Sequence, residues 1–139
     1  YGGRVDSPIV DKGQADVILS FEQLEAARYL EYLKPEGTLL TNTQQIDPMP
    51  VITGAAAYPQ DLIEKMKAAG INILALDALA LAQEAGSVKA INVALLGVLS
   101  NHMPFSENVW KAAIEACVPP KFLEINQKAF ALGSAYRED

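Results

Sequence analysis

Polar side chains that could contact a ligand or do chemistry follow three short apolar runs of this sequence. They are Ser20, Glu22, Asn42, Thr43 and Asp77. In open α/β proteins, the carboxyl ends of buried parallel strands form the edge where ligands and partners bind. The sequence therefore predicts an interface or pocket made of these five residues, and it assigns a catalytic or cofactor-binding role to none of them.

Two members of this set could instead serve in catalysis. Ser20 precedes a predicted helix, where a nucleophile can sit, but the one histidine, His102, falls near Pro104 and is not placed to activate it. A helix cap is the simpler role for Ser20. Asp77 follows a strand as a phosphoacceptor aspartate does, yet the companion acidic residues and lysine of such sites are not visible. Capping is therefore also the simpler role for Asp77.

Two further residues stand apart from this edge. Asn92 interrupts a strongly apolar helix and needs a hydrogen-bond partner if it is buried, so it is either structural or a sixth interface or pocket residue. Cys117 falls on an apolar helix stripe and is predicted to be a small core residue. With one cysteine and one histidine in 139 residues, the sequence predicts no metal site.

The elements that must position these residues centre on a strand–helix–strand unit over residues 15–43. Residues 15–20 form an apolar run, residues 21–33 have helical spacing, and residues 38–40 favour a strand again. Pro35 and Gly37 predict the turn that ends the helix. Such a unit forms a right-handed crossover between parallel strands, so both strands end at the same edge of the sheet.

The remaining pattern predicts an α/β fold, a three-layer sandwich with a mainly parallel sheet, in a single domain over residues 1–139. A third strand is expected at residues 71–76, with helices at 78–85, 88–103 and 121–132, one starting at Pro59 and one after Ser106. Pro8 favours an edge strand at residues 4–10, and residues 51–53 could form a short strand or simply pack onto the sheet. Gly97 predicts close approach by another element, whereas Gly133 is assigned to a polar tail.

The charge, hydropathy and cysteine content of the chain argue against some classes of partner. The formal charge is −6 and no run of Lys or Arg occurs, which argues against a nucleic-acid partner. The apolar run at residues 90–99 is too short to span a bilayer, so no membrane partner is predicted. A single cysteine excludes an internal disulfide and favours a cytoplasmic location.

Several short motifs, taken in order, resemble a known family. They are SPIV (7–10), ADVILSFE (15–22), LEA (24–26), GT (37–38), NT (42–43), DA (77–78), AG (85–86), Asn92 with LG (96–97), and NQKAFALG (126–133). Together they resemble the gamma domain of the 2-oxoacid:ferredoxin oxidoreductases, which act on pyruvate, ketoisovalerate or indolepyruvate. Across essentially the whole chain, the sequence is most similar to the beta subunit of the indolepyruvate enzymes.

The resemblance implies a role in an enzyme complex. In that family a 2-oxoacid is decarboxylated on thiamine diphosphate, the acyl group passes to coenzyme A, and electrons leave through iron–sulfur clusters to ferredoxin. Thiamine diphosphate and the clusters are expected in a large catalytic partner subunit. No cofactor is expected in this chain, and the isolated chain is expected to be inactive. A non-catalytic α/β binding or assembly module is the alternative.

The chain departs from the family at its start, because the family's N-terminal glycine-rich strand–turn–helix is missing. Residues 1–139 are therefore expected to be the C-terminal two-thirds of a gamma-type domain. All three predicted strands have the pattern of fully buried strands. Loss of a neighbouring strand would leave an unpaired edge and an apolar face, so we expect a homo-oligomer or a retained N-terminal peptide that covers them.

Overall fold

Three parallel strands, β1 (Ala15–Ser20), β2 (Leu33–Asn42) and β3 (Asn72–Leu76), form the middle layer of the computed structural model, which describes residues 3–5 and 7–137. The central strand β2 pairs with β1 on one side and with β3 on the other, and Leu39 is aligned with Ile18 and Ile73. All three strands therefore end at one carboxyl edge, as the crossover pattern predicted.

Seven α-helices occur in the described part of the chain. They are α1 (Gln23–Tyr29), α2 (Met49–Ile52), α3 (Leu62–Ala68), α4 (Ala78–Ala85), α5 (Ile91–Ser100), α6 (Glu107–Cys117) and α7 (Leu123–Ala135). Short 3₁₀ turns at Leu30–Tyr32, Val88–Ala90 and Pro120–Phe122 precede β2, α5 and α7.

Each face of the sheet has its own apolar layer, because neighbouring residues of a strand point to opposite faces. On one face, Leu39 and Ile73 pack with Ala26 of α1 and Met66 of α3. On the other face, the buried cluster comprises Leu40, Leu76, Ala78, Leu95 and Val98. This arrangement confirms the predicted α/β fold with helices on both sides of a parallel sheet.

The closest helix contact joins α5 to α7. A Cβ atom added to Gly97 would lie 2.2 Å from the carbonyl oxygen of Phe130, and one added to Gly133 would lie 1.9 Å from that of Ala94. The close approach predicted at Gly97 is therefore confirmed. The assignment of Gly133 to a polar tail was wrong, because this glycine lies inside α7 and faces α5.

The strand predicted at 4–10 is absent from the described residues, the possible strand at 51–53 does not form, and one strand begins early. Among the described residues of 4–10 no strand forms, and Asp6 lies outside the described residues; residues 51–53 belong to or follow helix α2. β2 begins at Leu33, not at residue 38, because an irregularity in its pairing with β1 lets the strand run through Pro35 in place of the predicted turn.

The predicted helix limits also shift at several ends. α1 stops at Tyr29, where the 3₁₀ turn begins, and α5 stops at Ser100. α3 begins at Leu62 and not at Pro59, because Asp61 has a left-handed backbone with φ of 57°. Helix α4 has the predicted bounds, with Asp77 as its cap and Gly86 in a left-handed conformation at its end.

Candidate functional site

Five of the six predicted interface residues lie at the carboxyl edge of the sheet. Ser20, Glu22 and Asn42 are buried there, whereas Thr43 and Asp77 are exposed. The main chain also joins the strand ends, since the Thr43 N–H donates to the carbonyl of Leu76 at 2.9 Å. The crossover topology alone brings these residues together.

Glu22 is a buried carboxylate that accepts four hydrogen bonds. Its Oε2 accepts from the N–H groups of Leu24 (2.8 Å) and Glu25 (3.0 Å) and so caps α1. Its Oε1 accepts from the N–H of Ile46 (3.3 Å) and from the hydroxyl of Tyr58. These donors offset the cost of burying the charge and tie the loop after β2 to the start of α1.

Tyr58 is itself buried, and its hydroxyl donates a hydrogen bond to Glu22. Burial, followed by the hydrogen bond and the charge of Glu22, raises the pKa of Tyr58 well above that of an ordinary tyrosine. The phenol therefore remains a hydrogen-bond donor at all physiological pH values, and it holds the end of the loop in place.

Asn42 connects the ends of two strands and the beginning of a helix. Its fully buried side chain donates to the carbonyl oxygen of Phe21 (3.3 Å) and to Oε1 of Gln44 (3.3 Å). Its Oδ1 accepts from the N–H of Ala78 at 3.2 Å. Every polar atom of this amide serves the architecture of the edge.

Ser20 and Asp77 make local contacts. The Ser20 hydroxyl donates to the carbonyl of Glu22 at 2.7 Å, so it belongs to a tight turn, and the cap of α1 is Glu22 rather than Ser20. The Asp77 Oδ1 accepts from the N–H of Ala80 at 3.0 Å, which confirms its capping role. His102 lies in the exposed turn after α5.

An apolar groove of about 590 Å³ runs beside β1 and ends at Ser20 and Glu22. Its lining includes Ile18 and Tyr29. Among residues 3–5 and 7–137, no strand pairs with the outer edge of β1, and most of β1 is half-buried. The expectation that every strand is fully buried was therefore wrong for β1, and it was wrong for β3 as well, where Asn72 is exposed and Leu74 and Ala75 are half-buried. Both outer strands of the described sheet have an edge without a paired strand.

Asn92 does not join the carboxyl edge. It is exposed near the start of α5 and lines a separate cavity of about 300 Å³ together with Cys117. Cys117 is exposed as well, so its predicted core role was wrong. This cysteine is the last residue of α6, where the buried stripe of that helix has already ended at Ile114.

Comparison with known proteins identifies the family. The family model described as pyruvate ferredoxin/flavodoxin oxidoreductase matches residues 2–136. This chain belongs to that family. It is 43% identical to the indolepyruvate oxidoreductase subunit IorB of Thermococcus kodakarensis and 44% identical to that of Pyrococcus horikoshii, and each alignment covers 96% of this chain and 68% of the relative.

A solved structure has the same fold. The gamma subunit of a keto/oxoacid ferredoxin oxidoreductase from Geobacter sulfurreducens superposes with a TM-score of 0.63 at 24% identity, covering 90% of this chain and 65% of that one. The chain thus spans about two thirds of the length of the proteins it matches. The resemblance noted from the sequence motifs is confirmed, and the family supports an oxidoreductase role over a non-catalytic module.

A metal centre does not fit the described residues, and a diphosphate does not fit the two helix N-termini at the carboxyl edge. Within the ranges 3–5 and 7–137, no group of three His, Cys, Asp or Glu side chains could hold a metal ion. Helix N-termini are the usual cradles for phosphate groups, but at the carboxyl edge α1 and α4 are capped by Glu22 and Asp77. These carboxylates use the N–H groups that a diphosphate would need, and they repel an anion.

Two features of the edge had escaped the sequence reasoning. Tyr58 and the N–H of Ile46 complete the hydrogen bonding of Glu22, and nothing in their local spacing indicates this. The one available signal was the absence of charged residues from 48 to 60, which marks a segment that is not simply a solvated loop.

In the described part of the chain, no helix is long and apolar enough to cross a membrane.

Proposed function

We propose that this chain works as part of the small subunit of an indolepyruvate-type 2-oxoacid:ferredoxin oxidoreductase. In the overall reaction an arylpyruvate and coenzyme A give an acyl-coenzyme A and carbon dioxide, and two electrons reduce ferredoxin. The identity of 43% and 44% to two IorB subunits, across 96% of the chain, is the observation that carries this proposal.

The cofactors of the reaction are assigned to a large catalytic partner subunit, as the family resemblance implies for thiamine diphosphate and the iron–sulfur clusters. The single cysteine of this chain agrees with that assignment for the clusters, because a cluster needs several cysteine ligands. The small chain then positions or closes an active site built on its partner. A reducing, cytoplasmic compartment suits the single unpaired cysteine.

The open edge of β1 is expected to be covered in the working complex. A second copy of the chain, or another segment that adds a strand, would pair with β1 and fill the apolar groove. Exposed Ile9 (76%) and Tyr29 (55%) line that groove and support such a contact.

The proposal is tested by reconstitution. The chain, the separately purified catalytic subunit and their mixture are each supplied with indolepyruvate, coenzyme A and oxidised ferredoxin, and ferredoxin reduction is followed spectroscopically. Pyruvate and ketoisovalerate serve as comparison substrates. We expect reduction by the mixture with indolepyruvate and none by the chain alone. Turnover by the chain alone, or a catalytic subunit that neither binds the chain nor responds to it, would refute the proposal.

A further inference from the structure

Helix α6 is held to the rest of the fold by one small apolar contact. Ile114 is the only buried residue among the eleven of this helix. It belongs to a cluster with Val93 of α5 and Phe130 of α7, and Trp110 packs against that cluster. In the described part of the chain, no side chain of α6 makes a hydrogen bond or ion pair to another helix or strand, and its one ion pair is internal.

Trp110 adds a cost to this contact. Its indole N–H is buried and has no hydrogen-bond acceptor among residues 3–5 and 7–137. The neighbours of the indole ring are the rings of Phe105 and Phe130, at centroid distances of 6.1 and 5.9 Å. A buried donor without an acceptor is rare and destabilising, because it has lost its bond to water and gained none. The attached position of α6 is therefore opposed by its own tryptophan.

Both ends of α6 are weakly held as well. At the C-terminal end, Cys117 and Val118 line the cavity of about 300 Å³, together with Val93 of α5 and Ile125 of α7. Side chains that face an open cavity bury less apolar surface than packed ones and stabilise the contact less. At the N-terminal end, the side chain of Ser106 makes no capping hydrogen bond.

The two helices beneath α6 do not share this weakness. The close contact at Gly97 and Gly133 joins α5 to α7 without any help from α6. The segments on either side of α6, residues 101–106 and 118–120, are mostly exposed. No well-packed connection therefore has to break for α6 to leave the surface of this pair.

We propose that α6 is a lid that detaches from α5 and α7 as a unit, while the sheet and the other helices stay folded. Detachment hydrates the Trp110 N–H and joins the apolar surface of Val93 and Phe130 to the neighbouring cavity, which becomes a wider cleft. A detached helix of eleven residues is too short to persist in water, so its N–H groups exchange with solvent during each opening.

Hydrogen exchange of the full chain, followed for each residue by NMR, tests whether α6 opens alone. We expect the hydrogen-bonded N–H groups of α6 to exchange at least about 100-fold faster than those of α5 and α7. Met66→Ala alters the cluster on the opposite face of the sheet. It should accelerate exchange in α5 and α7 about 30-fold or more and leave α6 unchanged. Ile73→Val, a milder change in the same cluster, should give the same contrast at about threefold if Met66→Ala does not fold.

A second measurement tests the role of the indole N–H. Trp110 is the one tryptophan of the chain, so biosynthetic replacement of tryptophan by benzothienylalanine changes this position alone. The analogue keeps the shape of the fused rings and lacks the N–H, and we expect exchange within α6 to slow about tenfold. Ile114→Ala removes the buried side chain and should accelerate it by about tenfold or more.

Two results would overturn the proposal. If α6 exchanges as slowly as α5 and α7, or accelerates with them in the Met66 and Ile73 variants, the helix opens only when the whole domain unfolds. If the analogue leaves exchange within α6 unchanged or faster, the unpaired N–H does not oppose the attached position.

Discussion

The contact between α5 and α7 is tightly packed, whereas the apolar side of β1 is left open as a groove. At the helix contact, Gly97 and Gly133 leave no room for one added carbon atom. Beside β1, a groove of about 590 Å³ leaves apolar side chains such as Ile9 and Tyr29 exposed. The difference indicates that the helix contact stabilises the fold, whereas the β1 side keeps apolar surface that the described chain does not fill.

The largest expected effect would come from filling the closed contact. Gly97→Ala or Gly133→Ala would place a Cβ atom against a main-chain carbonyl that cannot move aside, and we expect a loss of about 3 kcal/mol in the free energy of unfolding. Urea denaturation measures it. Gly3→Ala is the control, because a Cβ atom there meets nothing within 4 Å. Equal stability of the control and the helix variants would contradict the close contact.

A smaller effect is expected at the carboxyl edge. Glu22→Ala removes the acceptor for four donors on α1, the loop and Tyr58, and we expect it to cost about 2 kcal/mol. Glu25→Ala on the same helix is the control, since its exposed pair with Arg28 contributes little. Hydrogen exchange should accelerate over residues 44–60 in the Glu22 variant alone; unchanged exchange there would show that the loop does not depend on this carboxylate.

Tyr58→Phe probes the same link more gently, because it deletes one hydroxyl and keeps the ring. We expect a cost of about 1 kcal/mol near pH 7. The raised pKa of Tyr58 sets the pH dependence: its stabilisation is complete below the ordinary tyrosine value of 10.0 and is lost as pH rises above it. The stability gap between wild type and variant should therefore shrink in alkali, and a gap that widens there would rule out this assignment.

The smallest effect is expected at the exposed ion pair between Asp16 of β1 and Lys34 of β2. The hydrogen bond and charge of Lys34 lower the pKa of Asp16, so any stabilisation is present at neutral pH and fades as acid protonates the carboxylate. Because the pair is solvated, Asp16→Asn should leave the melting temperature at pH 7 nearly unchanged. A clear drop in melting temperature, absent in high salt, would show that this pair fastens β1 to the sheet.

The sequence predicted those parts of the molecule whose signals are local. Apolar runs and helical spacing were enough for the parallel sheet, Asp77 and Gly86 for the ends of α4, and Gly97 for a close helix contact. The partner of Gly97 was missed, because a glycine 36 positions later has no pattern of its own to link them.

The position of the candidate site could be predicted from the sequence, but its hydrogen bonds could not. Parallel topology placed the polar residues at one edge, yet the hydrogen bond from Tyr58 to Glu22 spans 36 residues and depends on how the loop folds back. The half-buried state of β1 was likewise hidden, since an apolar strand has the same composition at the edge of a sheet as at its centre. The spacing of residues along the sequence does not show which distant residues become neighbours in the fold.

The close contact between the helices at Gly97 and Gly133 also fixes the position of α7 along the axis of α5. A shift of one residue in either direction would drive a side chain into a main-chain carbonyl, so neither helix can slide on the other. A movement of α5 would therefore carry α7 with it, and the pair would rotate as one unit, because shear between these two helices is blocked.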